Sequence, residues 1–93
     1  MGPLSPGAVL AEGFLAGYGL SRSALARAIG ISPNRVTEIV KNRRRISANT
    51  VVRLSVFFGN SAAFWMNLRT QYDLKLARHA LVAEGLAQVG RAA

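Results

Sequence analysis

The stretch Arg22–Lys41, RSALARAIGISPNRVTEIVK, consists of two short amphipathic segments hinged on one glycine. Leu25 and Ile29 recur at helical spacing before Gly30, and Val36, Ile39 and Val40 do so after it. Ser21 and Ser32 stand where N-caps belong, with hydroxyls able to accept from the free N–H groups of a first turn, and Pro33 suits the first helical position. Gly30 tolerates the positive φ that ends one helix and opens a tight turn. Helices joined by so short a turn cross steeply and need a small residue at their approach, which Ala26 supplies; Leu25, Ile29, Ile31, Val36 and Ile39 supply the apolar seam. Taken singly, each of these residues reads as ordinary core. Their joint register is that of a helix-turn-helix, which lays its second helix in the major groove of DNA.

Outward from this stretch, helix signals recur and strand signals do not. Upstream, Ser5 and Pro6 open a first helix with Leu10, Phe14 and Leu15 as its apolar positions, broken at Gly17 and Gly19. Downstream, Ser47 opens a fourth helix with Val51, Leu54 and Phe58 on one stripe, closed by Gly59. Ser61 opens a long fifth helix carrying Phe64, Trp65, Leu68, Tyr72 and Leu76, which is expected to reach roughly Ala83. The reading is an all-α, five-helix domain of lambda-repressor-like type over residues 1–83, followed by a C-terminal tail, 84–93. A chain of 93 residues is long enough for one such core. It contains no cysteine, so apolar packing has to hold the fold without disulfides or thiolate metal sites. Apolar runs are too short to span a bilayer and no signal-like core follows a basic start, which leads us to expect a soluble, cytoplasmic protein.

Charge gives the helix pair its meaning. Twelve Lys and Arg against four Asp and Glu give a formal net charge of +8, which points to a polyanionic partner. The excess is concentrated: Arg22, Arg27, Arg35, Lys41, Arg43, Arg44, Arg45 and Arg53 face only Glu38 between Leu20 and Arg53. With Val36 and Ile39 turned inward, the outward face of the third helix presents Asn34, Arg35, Thr37, Glu38 and Lys41. Arg35 can donate two hydrogen bonds to guanine and Asn34 can pair with adenine, while Thr37 can meet a thymine methyl or a phosphate. Glu38 would be repelled by DNA unless it accepts from cytosine or orients a neighbouring arginine; the second role is the one we favour. Ser32 and the first-turn N–H groups suit a phosphate. Arg43, Arg44 and Arg45, together with Arg22 and Lys41, suit phosphates flanking the groove, although one of the three loop arginines can instead pack on its own domain.

The segments SPGAVL, NRRRIS, LSVFFGNSAAFWMNL and YDLKLAR, and the chain from Pro6 to about Arg78 as a whole, closely resemble the HigA antitoxins, a branch of the Xre-type helix-turn-helix proteins. The resemblance implies a five-helix DNA-binding fold, usually dimeric, that represses its own operon and neutralises a HigB toxin of the RelE-like messenger-RNA endonuclease class. Two positions depart from the family: Ser5 stands where His is usual, and Arg22 where Gln is frequent. The second departure trades a contact to backbone and base for a phosphate contact, so the family's operator sequence does not carry over.

The fifth helix has more apolar side chains than one face needs. Phe64 and Leu68 are expected in the core, whereas Trp65 and Tyr72 divide about evenly between core and interface and, with Asp73 and Leu76, are the candidates for a dimer or toxin interface. The acids outside the DNA-reading region are Glu12, Asp73 and Glu84, which a basic toxin would seek; the helix-five surface around Asp73 is the expected contact, with helix one nearly as available. An enzyme is not expected: His79 is the single histidine, the acids are scattered, and there is neither a phosphate-binding glycine loop nor metal-ligand spacing, so no cofactor is implied. A stand-alone Xre-type repressor without a toxin is the alternative reading.

Overall fold

A computed structural model of the chain describes residues 5–85 and 88–92. Residues 1–4 of the expected domain, and 86, 87 and 93 of the expected tail, lie outside the described residues. The described residues form five helical bodies and no strand. The first, α1, is composite: α-helical over Pro6–Ala8, π-helical over Val9–Leu15 and α-helical again over Ala16–Tyr18. It is followed by α2 (Arg22–Ile29), α3 (Pro33–Val40), α4 (Ala48–Phe58) and α5 (Ala62–Glu84).

Each helix starts on a serine whose hydroxyl accepts from a first-turn N–H: Ser5 from Ala8, Ser21 from Ala24, Ser32 from Arg35, Ser47 from Thr50 and Ser61 from Phe64. Each such cap is worth about 1 kcal/mol, so the serine spacing punctuates the whole chain. Gly30 takes φ +76 at the turn between α2 and α3, and its N–H closes on the Ala26 carbonyl.

The π-helical stretch departs from the regular helix expected there, and its cause lies in the core. Leu10 and Leu15 are both buried, yet five residues of ordinary α-helix would turn them about 140° apart. Winding with i→i+5 hydrogen bonds, as from the Ala16 N–H to the Ala11 carbonyl, brings the two leucines closer to one face.

The core gathers Leu10 and Leu15 from α1, Leu25, Ala26 and Ile29 from α2, Val36 and Ile39 from α3, Ile46 from the loop between α3 and α4, Val51 and Leu54 from α4, and Trp65 from α5. Trp65 is fully buried, with Phe14 packed at a 4.9 Å ring separation and its Nε1–H donating to Asn60 Oδ1 at 3.0 Å. That burial decides between the two roles open to Trp65 and corrects its choice as an interface residue: it is enclosed and polar-satisfied within its own domain. Phe64, expected in the core, is instead 39% exposed and meets the Trp65 ring edge to face at its margin. Leu68 packs against the core as expected.

Beyond this region α5 outruns the core. At 1.5 Å per residue its 23 residues extend roughly 34 Å, in a molecule of 50 × 23 × 22 Å. Leu74, Leu76, Leu81 and Val82 are all exposed on this distal part.

Candidate nucleic-acid interface

In α3 the geometry divides as the side-chain period requires. Val36 and Ile39 are buried, while Asn34 and Lys41 are exposed and Arg35, Thr37 and Glu38 are half-buried at the solvent boundary. Ser32 is exposed at the N-cap, with its Oγ 3.2 Å from the Arg35 nitrogen. Its hydroxyl hydrogen is therefore still available to donate. Arg22 is exposed at the first position of α2. Among the described residues Arg22, Arg35, Lys41 and Arg43 form no ion pair, which leaves their charge available to an outside anion.

The segment after α3 is tightly organised. Asn42 takes φ +58, the only positive φ of a non-glycine among the described residues. This reversal lets the Glu38 carbonyl accept from both the Arg43 and Arg44 N–H groups, at 2.8 and 3.2 Å. The Glu38 carboxylate accepts in addition from Arg44 Nε at 3.2 Å. Glu38 thus orients an arginine, and both terminal nitrogens of Arg44 stay clear of this bond.

Gly7 belongs to the same arrangement. A Cβ there would fall on the Ile39 carbonyl oxygen and 2.8 Å from Asn42 Oδ1, so the start of α1 rests directly on the last turn of α3. The structural weight of Gly7 and Asn42 escapes a reading of single residues. The signal available is the SPG triplet, where a glycine follows a helix-opening proline with no turn to explain it.

Arg45 goes elsewhere. Its Nη2 lies 3.0 Å from Asp73 Oδ2 on α5, the same oxygen that Arg69 Nε approaches at 3.7 Å. Arg45 is therefore tied to its own domain by an ion pair, with its side chain still largely exposed. Asp73, taken from the sequence as an acid open to a toxin, is already engaged by two guanidinium groups. Asn42, Arg43, Arg44, Arg45, Tyr72, Asp73 and Leu76 line one shallow concavity of about 150 Å³, so the arginine loop and three of the four residues read as a separate interface are neighbours. Arg53, counted in the basic excess, is also committed internally: it donates to the Ile29 carbonyl at 2.7 Å and to Asn49 Oδ1 at 2.8 Å, closing the C-terminus of α2. No group of three or more metal-ligating side chains occurs among the described residues.

The helix-turn-helix family model matches residues 15–65. Virulence-associated protein I of Dichelobacter nodosus is 47% identical over 77 residues, 83% of this chain and 71% of that protein. Antitoxin HigA-1 of Vibrio cholerae is 33% identical over 72 residues, 77% of this chain and 68% of its own length. Among solved structures, the Pseudomonas aeruginosa antitoxin HigA with the higBA promoter superposes with a TM-score of 0.90 at 37% identity, covering 98% of this chain and 99% of that one. The chain belongs to the Xre-type helix-turn-helix family, in the branch that contains the HigA antitoxins.

Proposed function

With that membership as premise, we propose that the chain is the antitoxin of a toxin–antitoxin pair: a dimeric repressor that binds operator DNA and neutralises a HigB-like toxin. The observation that carries the DNA reading is the outward face of α3, where Asn34, Arg35, Thr37 and Lys41 stand opposite the buried Val36 and Ile39 and run on into Arg43 and Arg44. Arg35 and Asn34 read base edges; Arg22, Ser32, Lys41, Arg43 and Arg44 hold phosphates. Glu38 sets the direction of Arg44. That the similar P. aeruginosa HigA was solved with its promoter supports DNA as the partner.

The dimer forms through distal α5. Leu74, Leu76, Leu81 and Val82 are exposed on a helix segment too short to be stable by itself in water, and a two-fold partner would bury them. The operator then contains inverted half-sites about one helical turn, roughly 10 bp, apart. The toxin contact lies on α1, where Glu12 is exposed and forms no ion pair among the described residues, a better match for a basic toxin than the doubly engaged Asp73.

Two measurements test this. Footprinting on the DNA upstream of the gene is expected to show a palindromic protected site; absence of binding there removes the repressor reading. Expression of the adjacent gene is expected to arrest growth without this chain and to be tolerated with it. Equal growth in both cases leaves a stand-alone repressor.

A further inference from the structure

The three consecutive arginines after α3 have three different fates. Arg43 forms no ion pair among the described residues, Arg44 is drawn to Glu38 on the recognition helix, and Arg45 is drawn to Asp73 on α5. The two acids therefore act on the loop from two different helices. Glu38 keeps its arginine beside the reading face. Asp73 takes its arginine toward a helix that carries none of the reading residues.

We infer that Asp73 is a positioning residue for the DNA interface that withholds Arg45 from phosphate. The inference rests on the DNA-binding reading above and deepens it. The Asp73 carboxylate oxygen is shared by Arg45 and Arg69, so α5 carries its own cation to hold that carboxylate in place. A phosphate approaching Arg45 would meet the Asp73 carboxylate beside it, and like charges at that range repel. The restraint is also reversible: the Arg45 side chain is 63% exposed and that of Asp73 30%, a solvated setting in which ion pairs exchange readily. Arg45 is thus a cation in reserve, and the sequence-independent grip on DNA stands below what three free arginines would give.

The sign of the effect makes the inference testable in the full-length chain. Asp73→Asn is expected to raise affinity for operator and for random duplex alike, by roughly severalfold at ~50 mM salt, and to steepen the salt slope by about 0.9 per protomer. Removing one negative charge anywhere on a DNA-binding protein could mimic a small part of this, so Glu84→Gln on the same helix serves as control and is expected to change neither. Arg45→Ala is expected to cost less than Arg43→Ala in the natural background, and to abolish the gain when combined with Asp73→Asn. Thermal melts of each variant check that all remain folded. Weaker binding by Asp73→Asn, no change in its salt slope, or a gain that survives removal of Arg45 would each overturn the inference while leaving the DNA-binding reading intact. Failure of the natural chain to bind either DNA would overturn both.

Discussion

The α2–α3 pair and α5 are both rich in apolar residues, yet they distribute them differently. In α2 and α3 the large apolar side chains share one side: Leu25, Ile29, Val36 and Ile39 are buried while Arg22, Asn34 and Lys41 stand in solvent. In α5, buried Trp65 adjoins exposed Phe64, and Leu74, Leu76, Leu81 and Val82 are exposed along the distal part. A short helix that commits one stripe to the core leaves its opposite stripe free for a partner, so its function can be assigned from periodicity. A long helix that outruns the core changes role along its length, and its apolar residues have to be assigned one by one.

The largest expected effect lies within α5. Trp65→Ala removes a fully buried indole together with its hydrogen bond to Asn60, and chemical denaturation is expected to show a loss of about 3–5 kcal/mol. A loss below about 1 kcal/mol would place Trp65 outside the core and erase the contrast between the two parts of that helix.

Next comes the contact that seats α3. Gly7→Ala drives a methyl into the Ile39 carbonyl and is expected to cost about 1–3 kcal/mol of stability by overpacking. Because the displaced atoms belong to the end of α3, operator affinity measured by titration is expected to fall as well. Stability lost with operator affinity unchanged at temperatures where the protein is folded would show that α1 does not position α3.

Arg35→Ala is expected to leave folding alone and weaken the operator by about 1–3 kcal/mol, relaxing preference at one position of each half-site. Arg43→Ala is expected to weaken operator and random DNA equally and lower the salt slope by about 1 per contact, about 2 in a dimer. If the patterns are exchanged, with Arg35→Ala uniform across sequences and Arg43→Ala changing base preference, then the loop reads and the helix clamps.

The smallest folding effect belongs to distal α5, where Leu76→Arg is expected to change stability of the monomer by no more than about 0.5 kcal/mol. Sedimentation of the same variant is expected to show a monomer where the natural chain is a dimer. Val56→Arg, at a residue of α4 that is 79% exposed, is the control. Should the α4 variant dissociate and the α5 variant remain dimeric, the two-fold contact lies on α4.

The helix pair was legible because its signals are local. Serine caps, the proline at the first position of α3, Gly30 at the turn and a 3.6-residue apolar period all act within one or two turns of the chain. The same locality put a partner arginine within reach of Glu38, since Arg44 lies six positions away across the end of one helix. The winding of α1 escaped local reading because the need to bury Leu10 and Leu15 together is set by the elements packed against them.

By itself the sequence determined the number and order of the helices, the outward face of α3 and the basic character of the loop after α3, because capping, periodicity and charge need no partner from elsewhere in the chain. Only the tertiary structure decided which cations are free. Arg53 closes α2 from 24 positions away in sequence, and Arg45 is held by Asp73 across the gap between a loop and α5. It decided equally that Trp65 is core and Leu76 is surface, although both are large apolar residues of the same helix. Side-chain chemistry is written residue by residue, but whether a guanidinium meets a phosphate, a carbonyl or a carboxylate depends on which distant segment the fold brings within about 3 Å of it.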